Sequence, residues 1–286
     1  MSRRDVREFL DRHELRARKD LGQNFLIDDS WATRLVALAG VESADSVIEV
    51  GTGTGVLTRA LAARAARVVT LDIDAGLVRA LREEQSLPKN VELRHADVLK
   101  ADLPALAREL PAPVRLVSNL PYSISGPALR GFLDLREWLV DWSVMLQREV
   151  AARLLAAPGS KDYGSLSVLH ALVADAERLA DLPAGCFFPA PQVRSTFVRL
   201  HTRRDGPLRR GELRSVERVA RAAFGNRRKT LWNALRAGGF GGGETALRAA
   251  LDRCGIDPRV RGETLPPPVF LEIARALAET AEVGAE

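Results

Sequence analysis

From Ser46 onward the chain alternates short apolar runs with longer amphipathic ones: SVIEV, VLTRALAARA, RVVTLDI, AGLVRALREEQ. Strands buried on both faces read as near-continuous apolar runs, and the helices that cover them carry apolar residues at helical spacing. The alternation predicts βαβα units, because two parallel strands need a crossover to join them. Further runs at VELRHA, VRLVSN and SVMLQ extend the pattern, with helical segments expected near 125–137 and 147–157. The fold class is α/β, with a Rossmann-like, mostly parallel sheet. VRSTFVRL near 193–200 alternates like a late strand that closes this sheet. After His201 the texture changes. TRRDGPLRR reads as a linker, and the remainder looks helical, broken by GGFGGG at 238–243 and by the prolines at 266–268. Three parts are expected: residues 1–45 as a basic helix and lid segment, 46–203 as the α/β domain, and 204–286 as a smaller all-helical domain.

The 286 residues suffice for one sizeable core and a small second domain. No apolar run approaches the roughly 18 residues that span a bilayer, and MSRRDVREFLDRHELRARKD is not a secretory signal. A cytoplasmic protein without membrane association is expected. Cys186 and Cys254 have no metal-ligand spacing and read as reduced thiols; His13, His95, His170 and His201 are scattered, so no metal is expected. The net charge of +5 is uneven: +3 over residues 1–19 and +5 over 203–286. Basic ends around a near-neutral body suit a polyanionic partner.

Four motifs carry chemistry. IEVGTGTGV at 48–56 runs a strand into glycines 51, 53 and 55 and then into a helix. A dinucleotide fingerprint would place its third glycine at 56, where Val56 stands, and a P-loop would need Gly-Lys-Ser/Thr. What remains fits a ligand with an adenosine and an amino-acid tail but no pyrophosphate, or a merely tight turn. Asp72 ends the next strand, where a carboxylate can accept from both ribose hydroxyls; Asp74 is the rival candidate. Asp97, in HADVLKADL, suits the adenine amino group, or equally a turn or a helix cap. Last comes VSNLPYSIS. The Asn119 side-chain oxygen and the Leu120 carbonyl can both accept from an exocyclic amine and draw its nitrogen toward tetrahedral geometry. Pro121 stiffens that carbonyl, and Tyr122 offers a face to a flipped base.

These motifs resemble those of the ribosomal RNA adenine N6-dimethyltransferase family, and within it the branch acting on the bacterial small subunit. KDLGQNFLID at 19–28, CFFPAPQVRS at 186–195 and FGNRRKTLWNAL at 224–235 resemble further family segments, so the likeness spans nearly the whole chain. The resemblance implies a class I methyltransferase sheet and S-adenosylmethionine as cofactor. It places Gln23, Asn24, Leu26, Gly51, Gly53, Asp72, Ile73, Asp97, Val98 and Asn119 around that cofactor. Asn119, Leu120, Pro121 and Tyr122 become the catalytic loop, and Phe187 a second aromatic wall against the base. Arg227, Arg228 and Lys229, between Phe224 and Trp232, read as phosphate contacts. The implied reaction is N6-dimethylation of two adjacent adenines near the 3′ end of 16S rRNA, coupled to small-subunit maturation. The implied partners are that rRNA and the pre-small-subunit particle, met by a monomer. A large-subunit methyltransferase conferring macrolide resistance, or a mainly non-catalytic assembly factor, are the alternatives. Asp72 stands where many members carry Glu, Arg194 where an acid usually follows the valine, and Ser123 and Phe224-Gly225-Asn226 are also variants within their motifs.

Overall fold

The computed structural model describes residues 3–209, 211–240 and 243–283. In chain order the elements are α1 (Arg3–Arg12), β1 (Phe25–Leu26), α2 (Asp29–Leu38), β2 (Ser46–Val50), α3 (Val56–Ala62), β3 (Arg67–Asp72), α4 (Ala75–Glu83), β4 (Val91–His95), α5 (Leu103–Glu109) and β5 (Val114–Asn119). There follow α6 (Ser125–Phe132), β6 (Leu139–Gln147), α7 (Arg148–Leu154), α8 (Ser165–Ala171), β7 (Ala174–Leu182), β8 (Phe187–Phe188) and β9 (Ser195–Thr202). Four helices complete the chain: α9 (Leu213–Phe224), α10 (Leu231–Ala237), α11 (Gly243–Arg253) and α12 (Pro267–Val283).

Seven strands form one sheet in the order β4-β3-β2-β5-β6-β9-β7. The pairs from β4 to β6 are parallel, and β9 runs antiparallel to β6. All five residues of β2 are buried, as its central place requires. From β2 the chain steps to β3 and β4 on one side, then returns to β5 and β6 on the other. The order therefore reverses between β2 and β5, and a doubly wound sheet opens its ligand crevice beyond the carboxyl ends at such a point. Gly51 follows β2 and Asn119 ends β5, so the two motifs meet there because of strand order. Asp28 and Asp74 start α2 and α4 by accepting backbone N–H groups of the first turn.

Two expectations about this sheet need correction. The strand near 193–200 exists, as β9, but does not close the sheet, because β7 lies outside it. The sequence of β7, ADAERLADL, carries four charges and does not read as a strand. An edge strand with an exposed face tolerates charge, and charge there also discourages pairing with other chains.

The chain divides into two compact units: Met1–Ala151 with Ala176–Thr202, and Ala152–Asp175 with Arg203–Glu286. A change of unit thus falls beside the expected boundary at 203, but residues 152–175 cluster with the C-terminal helices. Tyr163 explains why. Its ring meets Phe224 edge-on at 5.5 Å, Phe224 stacks on Phe270 at 5.7 Å, and its hydroxyl donates to the Leu265 carbonyl. Burying an aromatic ring of this size is worth roughly 2–3 kcal/mol. The second unit is helical, and its prolines start α12: Pro267 occupies the first turn, where a missing N–H costs nothing. Gly238 caps α10 and Gly243 opens α11, while Gly241 and Gly242 lie outside the described residues. In the first unit, Val6, Phe9 and Leu10 of α1 pack with Phe25, Ile27, Leu77 and Leu81, which anchors the N-terminal segment.

Candidate active site

A cavity of about 360 Å³ opens at the switch point, and its walls come from four stretches: 20–26, the glycine turn with Val56 and Leu57, the ends of β3 and β4, and 119–124. This volume lies within the roughly 300–1,000 Å³ of small-molecule sites. Gln23, Asn24, Leu26, Gly51, Gly53, Asp72, Ile73, Asp97, Val98, Asn119, Leu120, Pro121 and Tyr122 all line it. Residues distant in sequence are thereby gathered at one crevice, among them Leu21 and Ser123, 102 positions apart and hydrogen-bonded to each other.

The turn needs glycine for a specific reason. Gly51 has φ of +82°, and a Cβ there would press on Pro121 Cδ at 3.4 Å, so the turn and the Asn-Leu-Pro-Tyr loop are in contact. Thr52 and Thr70 bind hydroxyl to hydroxyl beneath it at 2.7 Å.

Asp72 is 6% exposed. It accepts from the Gly53 and Asp74 backbone N–H groups, both at 2.9 Å, one on each carboxylate oxygen. Burial pushes its pKa up, and those two amides oppose the shift. No cation bonds it among the described residues, so lone pairs on both oxygens remain for a ligand. Asp74 has other work. It caps α4 through Gly76 and Leu77 and receives the Gln23 amide at 3.0 Å. Gln23 also accepts from the Arg18 N–H, so its side chain braces the N-terminal segment against α4. Asp97 takes the Leu99 N–H on one oxygen and stands 3.7 Å from Lys100 Nζ on the other.

Asn119 donates from Nδ2 to the Asn24 carbonyl at 3.0 Å. A carbonyl can only accept, so this bond settles which end of the amide is which and leaves Oδ1 as an acceptor. Ser123 donates to the Leu21 carbonyl, and Gly22 (φ +66°) lies so near that a Cβ would fall 2.8 Å from Ser123 Oγ. The segment 20–26 is thus pinned to the Asn119–Ser123 loop at two points. The Tyr122 hydroxyl bonds Ser195 Oγ, which is fully buried. Burial raises the pKa of this phenol, so it stays neutral. Behind the glycine turn, Glu49 is fully buried and accepts from Thr58 Oγ1 at 2.6 Å; burial pushes its pKa up to about 8.

Two expected residues have different places. Phe187 is 0% exposed, does not line the cavity, and packs in the core with Leu26, its partner in the β1–β8 ladder. A ring with no accessible face is a packing element here, and the aromatic residues that line the cavity are Phe25 and Tyr122. Arg227 pairs with Glu263 at 2.9 Å and donates to the Ser160 and Lys161 carbonyls, which ties its guanidinium into its own unit. Arg228 and Lys229 are exposed, and neither side chain has a partner among the described residues. Leu21, Gly22, Ser123 and Ser195 were not singled out from the sequence as site residues. The glycine of KDLGQN was the available hint for Gly22, whereas nothing local marks a serine that reaches a distant carbonyl. No group of three His, Cys, Asp or Glu that could hold a metal occurs among the described residues.

A glycine turn and an Asn-Leu-Pro-Tyr loop facing each other at the switch point of this sheet define a class I methyltransferase. The chain belongs to the ribosomal RNA adenine dimethylase family, whose model matches residues 14–279. It is therefore an rRNA adenine methyltransferase. The ribosomal RNA small subunit methyltransferase A of Geobacter metallireducens is 41% identical over 92% of this chain and 96% of its own length. That of Pelotomaculum thermopropionicum is 42% identical over 94% of each. Among solved structures, a dimethyladenosine transferase from Plasmodium falciparum shares the fold, with a TM-score of 0.73 over 90% of this chain and 98% of its own at 22% identity. The 23S rRNA methyltransferase ErmE aligns with a TM-score of 0.62 at 26% identity, over 89% of this chain and all of its own.

Proposed function

We propose that the chain transfers methyl groups, two per base, from S-adenosylmethionine to N6 of two adjacent adenines near the 3′ end of 16S rRNA. The orientation of Asn119 carries this reading. With Nδ2 held by the Asn24 carbonyl, Oδ1 faces the work of accepting from an amine. The Leu120 carbonyl supplies a second acceptor, stiffened by Pro121. An adenine N6 is a poor nucleophile because its lone pair is delocalised into the ring. Two acceptors on its two N–H groups favour the tetrahedral nitrogen, whose lone pair is localised. Tyr122, tethered by Ser195, presents a ring for the extruded base to stack on. No general base is needed, since the methylated amine is cationic and loses its proton to water. Positioning supplies the rate.

The cavity's donors and acceptors suit the cofactor. Asp72 offers two open carboxylate edges for ribose hydroxyls, Asp97 an oxygen for the adenine amino group, and Ile73 and Val98 apolar walls for the ring. Gly51 and Gly53 leave room for the amino-acid tail, and Gln23, Asn24 and Leu26 close the side nearest the catalytic loop. S-adenosylmethionine supplies an electrophilic methyl group on a sulfonium. Arg228 and Lys229 contact RNA phosphate. The protein acts as a cytoplasmic monomer on the pre-small-subunit particle. The small-subunit relatives, 41–42% identical along nearly their whole length, support this acceptor.

The likeness to ErmE makes large-subunit RNA the competing acceptor. Purified protein with methyl-labelled S-adenosylmethionine should label under-methylated small subunits and leave large subunits unlabelled. Absence of label in small-subunit RNA would sink the proposal.

A further inference from the structure

We propose that Arg148 and Arg194 form a two-arginine clamp for the RNA phosphates that flank the target nucleotide. The inference rests on the reading of Asn119–Tyr122 as the base-binding loop. Arg148 directly follows β6, and Arg194 directly precedes β9. The Arg148 N–H donates to the Arg194 carbonyl at 3.0 Å, which carries the antiparallel ladder one step past the Gln147–Ser195 pair. The two arginines thus face each other across the strands, and both are exposed. Like charges in opposed cross-strand positions repel.

On β5, β7 and β9 the arginines are neutralised. Arg199 pairs with Glu177, Arg178 with Asp181, and Arg115 with Asp45 and Asp141. Arg148 and Arg194 have no side-chain partner among the described residues. Two adjacent, uncompensated guanidinium groups are costly to the protein alone and fit a ligand that brings negative charge.

Their position says which ligand. Asn119 pairs with Met145 in the β5–β6 ladder, so Arg148 stands just beyond the same carboxyl edge of the sheet. Ser195, next in chain to Arg194, holds the Tyr122 hydroxyl, and Tyr122 lines the cavity. The pair therefore lies one ladder step from the serine that holds this ring, at the same end of the sheet. A nucleotide extruded for chemistry drags its two flanking phosphates to the mouth of its site. Planar guanidinium forks bind phosphate oxygens bidentately and hold the strand in register. Val193, beside Arg194 and 46% exposed, adds an apolar surface at the same rim.

The test compares wild type with full-length R148Q, R194Q and the double variant. It measures binding of a fluorescent oligonucleotide carrying the 3′ hairpin of small-subunit rRNA across a salt series, and binding of S-adenosylmethionine by calorimetry. The double variant should bind RNA about tenfold more weakly at moderate salt and lose roughly 1.4 from the slope of log K against log salt, about 0.7 for each single-strand phosphate contact. Cofactor affinity should not change, and the double lysine variant should keep most of the slope. RNA affinity and slope equal to wild type in the double glutamine variant would overturn the clamp. Failure of the functional reading is visible separately, as wild-type protein that binds the hairpin but labels no small subunit, because the binding comparison does not depend on catalysis.

Discussion

The two ends of the sheet treat buried carboxylates in opposite ways. At the amino ends, Asp45 and Asp141 flank Arg115, which bonds Asp45 at 2.7 Å and also bonds Asp141. Asp45 further accepts the Glu42 N–H at 2.8 Å. At the carboxyl ends Asp72 is about as well buried, yet among the described residues it receives only backbone N–H groups. A buried acid that has its own cation is finished structure. One held by neutral dipoles keeps lone pairs and an unfavourable desolvation that a ligand can relieve. Burial alone does not mark a site; what matters is whether the protein supplies the counter-charge.

Four substitutions test that contrast. The largest effect is expected from Asn119→Ala, which removes the acceptor aimed at the amine and should lower kcat on small subunits by on the order of a hundred- to a thousandfold, as loss of one oriented catalytic hydrogen-bonding group does. Its melting temperature should move little; a variant that keeps a tenth of the activity would show that Asn119 is not the acceptor. Next comes Arg115→Met, at the opposite end. Two buried acids lose their cation, so unfolding by urea should come about 3–5 kcal/mol sooner. Methyl transfer per folded molecule should be unchanged, and a selective loss of kcat would break the division between the two ends.

Asp72→Asn should reverse that pattern. Stability should hold, while affinity for S-adenosylmethionine falls roughly tenfold, the scale of one hydrogen bond to a charged group. In wild type the ribose hydroxyls favour the ionised carboxylate, so cofactor affinity should fall as pH drops through the raised pKa of Asp72. The variant should lack this dependence in calorimetry. The smallest effect concerns Glu49. Its pKa rises on folding from the ordinary 4.5 to about 8, so the folded state holds the extra proton. The associated stability is complete below pH 4.5 and is lost as pH rises to about 8, with a slope of at most about 1.4 kcal/mol per pH unit. Glu49→Gln should flatten that slope in urea titrations, and an unaltered slope would place the titration elsewhere.

Much of this was legible in the chain. The strands β2 and β3 announce themselves because central parallel strands are largely apolar, and the glycine turn does so because glycine readily takes the required positive φ beside Pro121. Asp72 could be set at a strand end, but its separation from Asp74 required seeing one line the cavity and the other cap α4. The strand β7 stayed hidden because an edge strand can be charged. That residues 152–175 cluster with the C-terminal helices is not legible in the sequence, because Tyr163 meets Phe224, stacked on Phe270, only after folding. Phe187 and Arg227 show the same limit: an aromatic ring or a basic run in a motif reads the same whether it faces a ligand or its own core.

The sequence by itself determined the α/β class, the family, and the motifs whose residues line the cavity, because periodicity and turn chemistry act over a few residues. Only the tertiary structure decided which of these groups remain available. It committed Asp74, Gln23 and Arg227 to internal partners, buried Phe187, fixed the amide of Asn119 through Asn24, and left Arg148 and Arg194 on adjoining strands without a counter-charge among the described residues. The reason is physical: a hydrogen bond or an ion pair is a property of two groups, and the second group can lie far away in sequence, 102 residues in the case of Ser123 and Leu21.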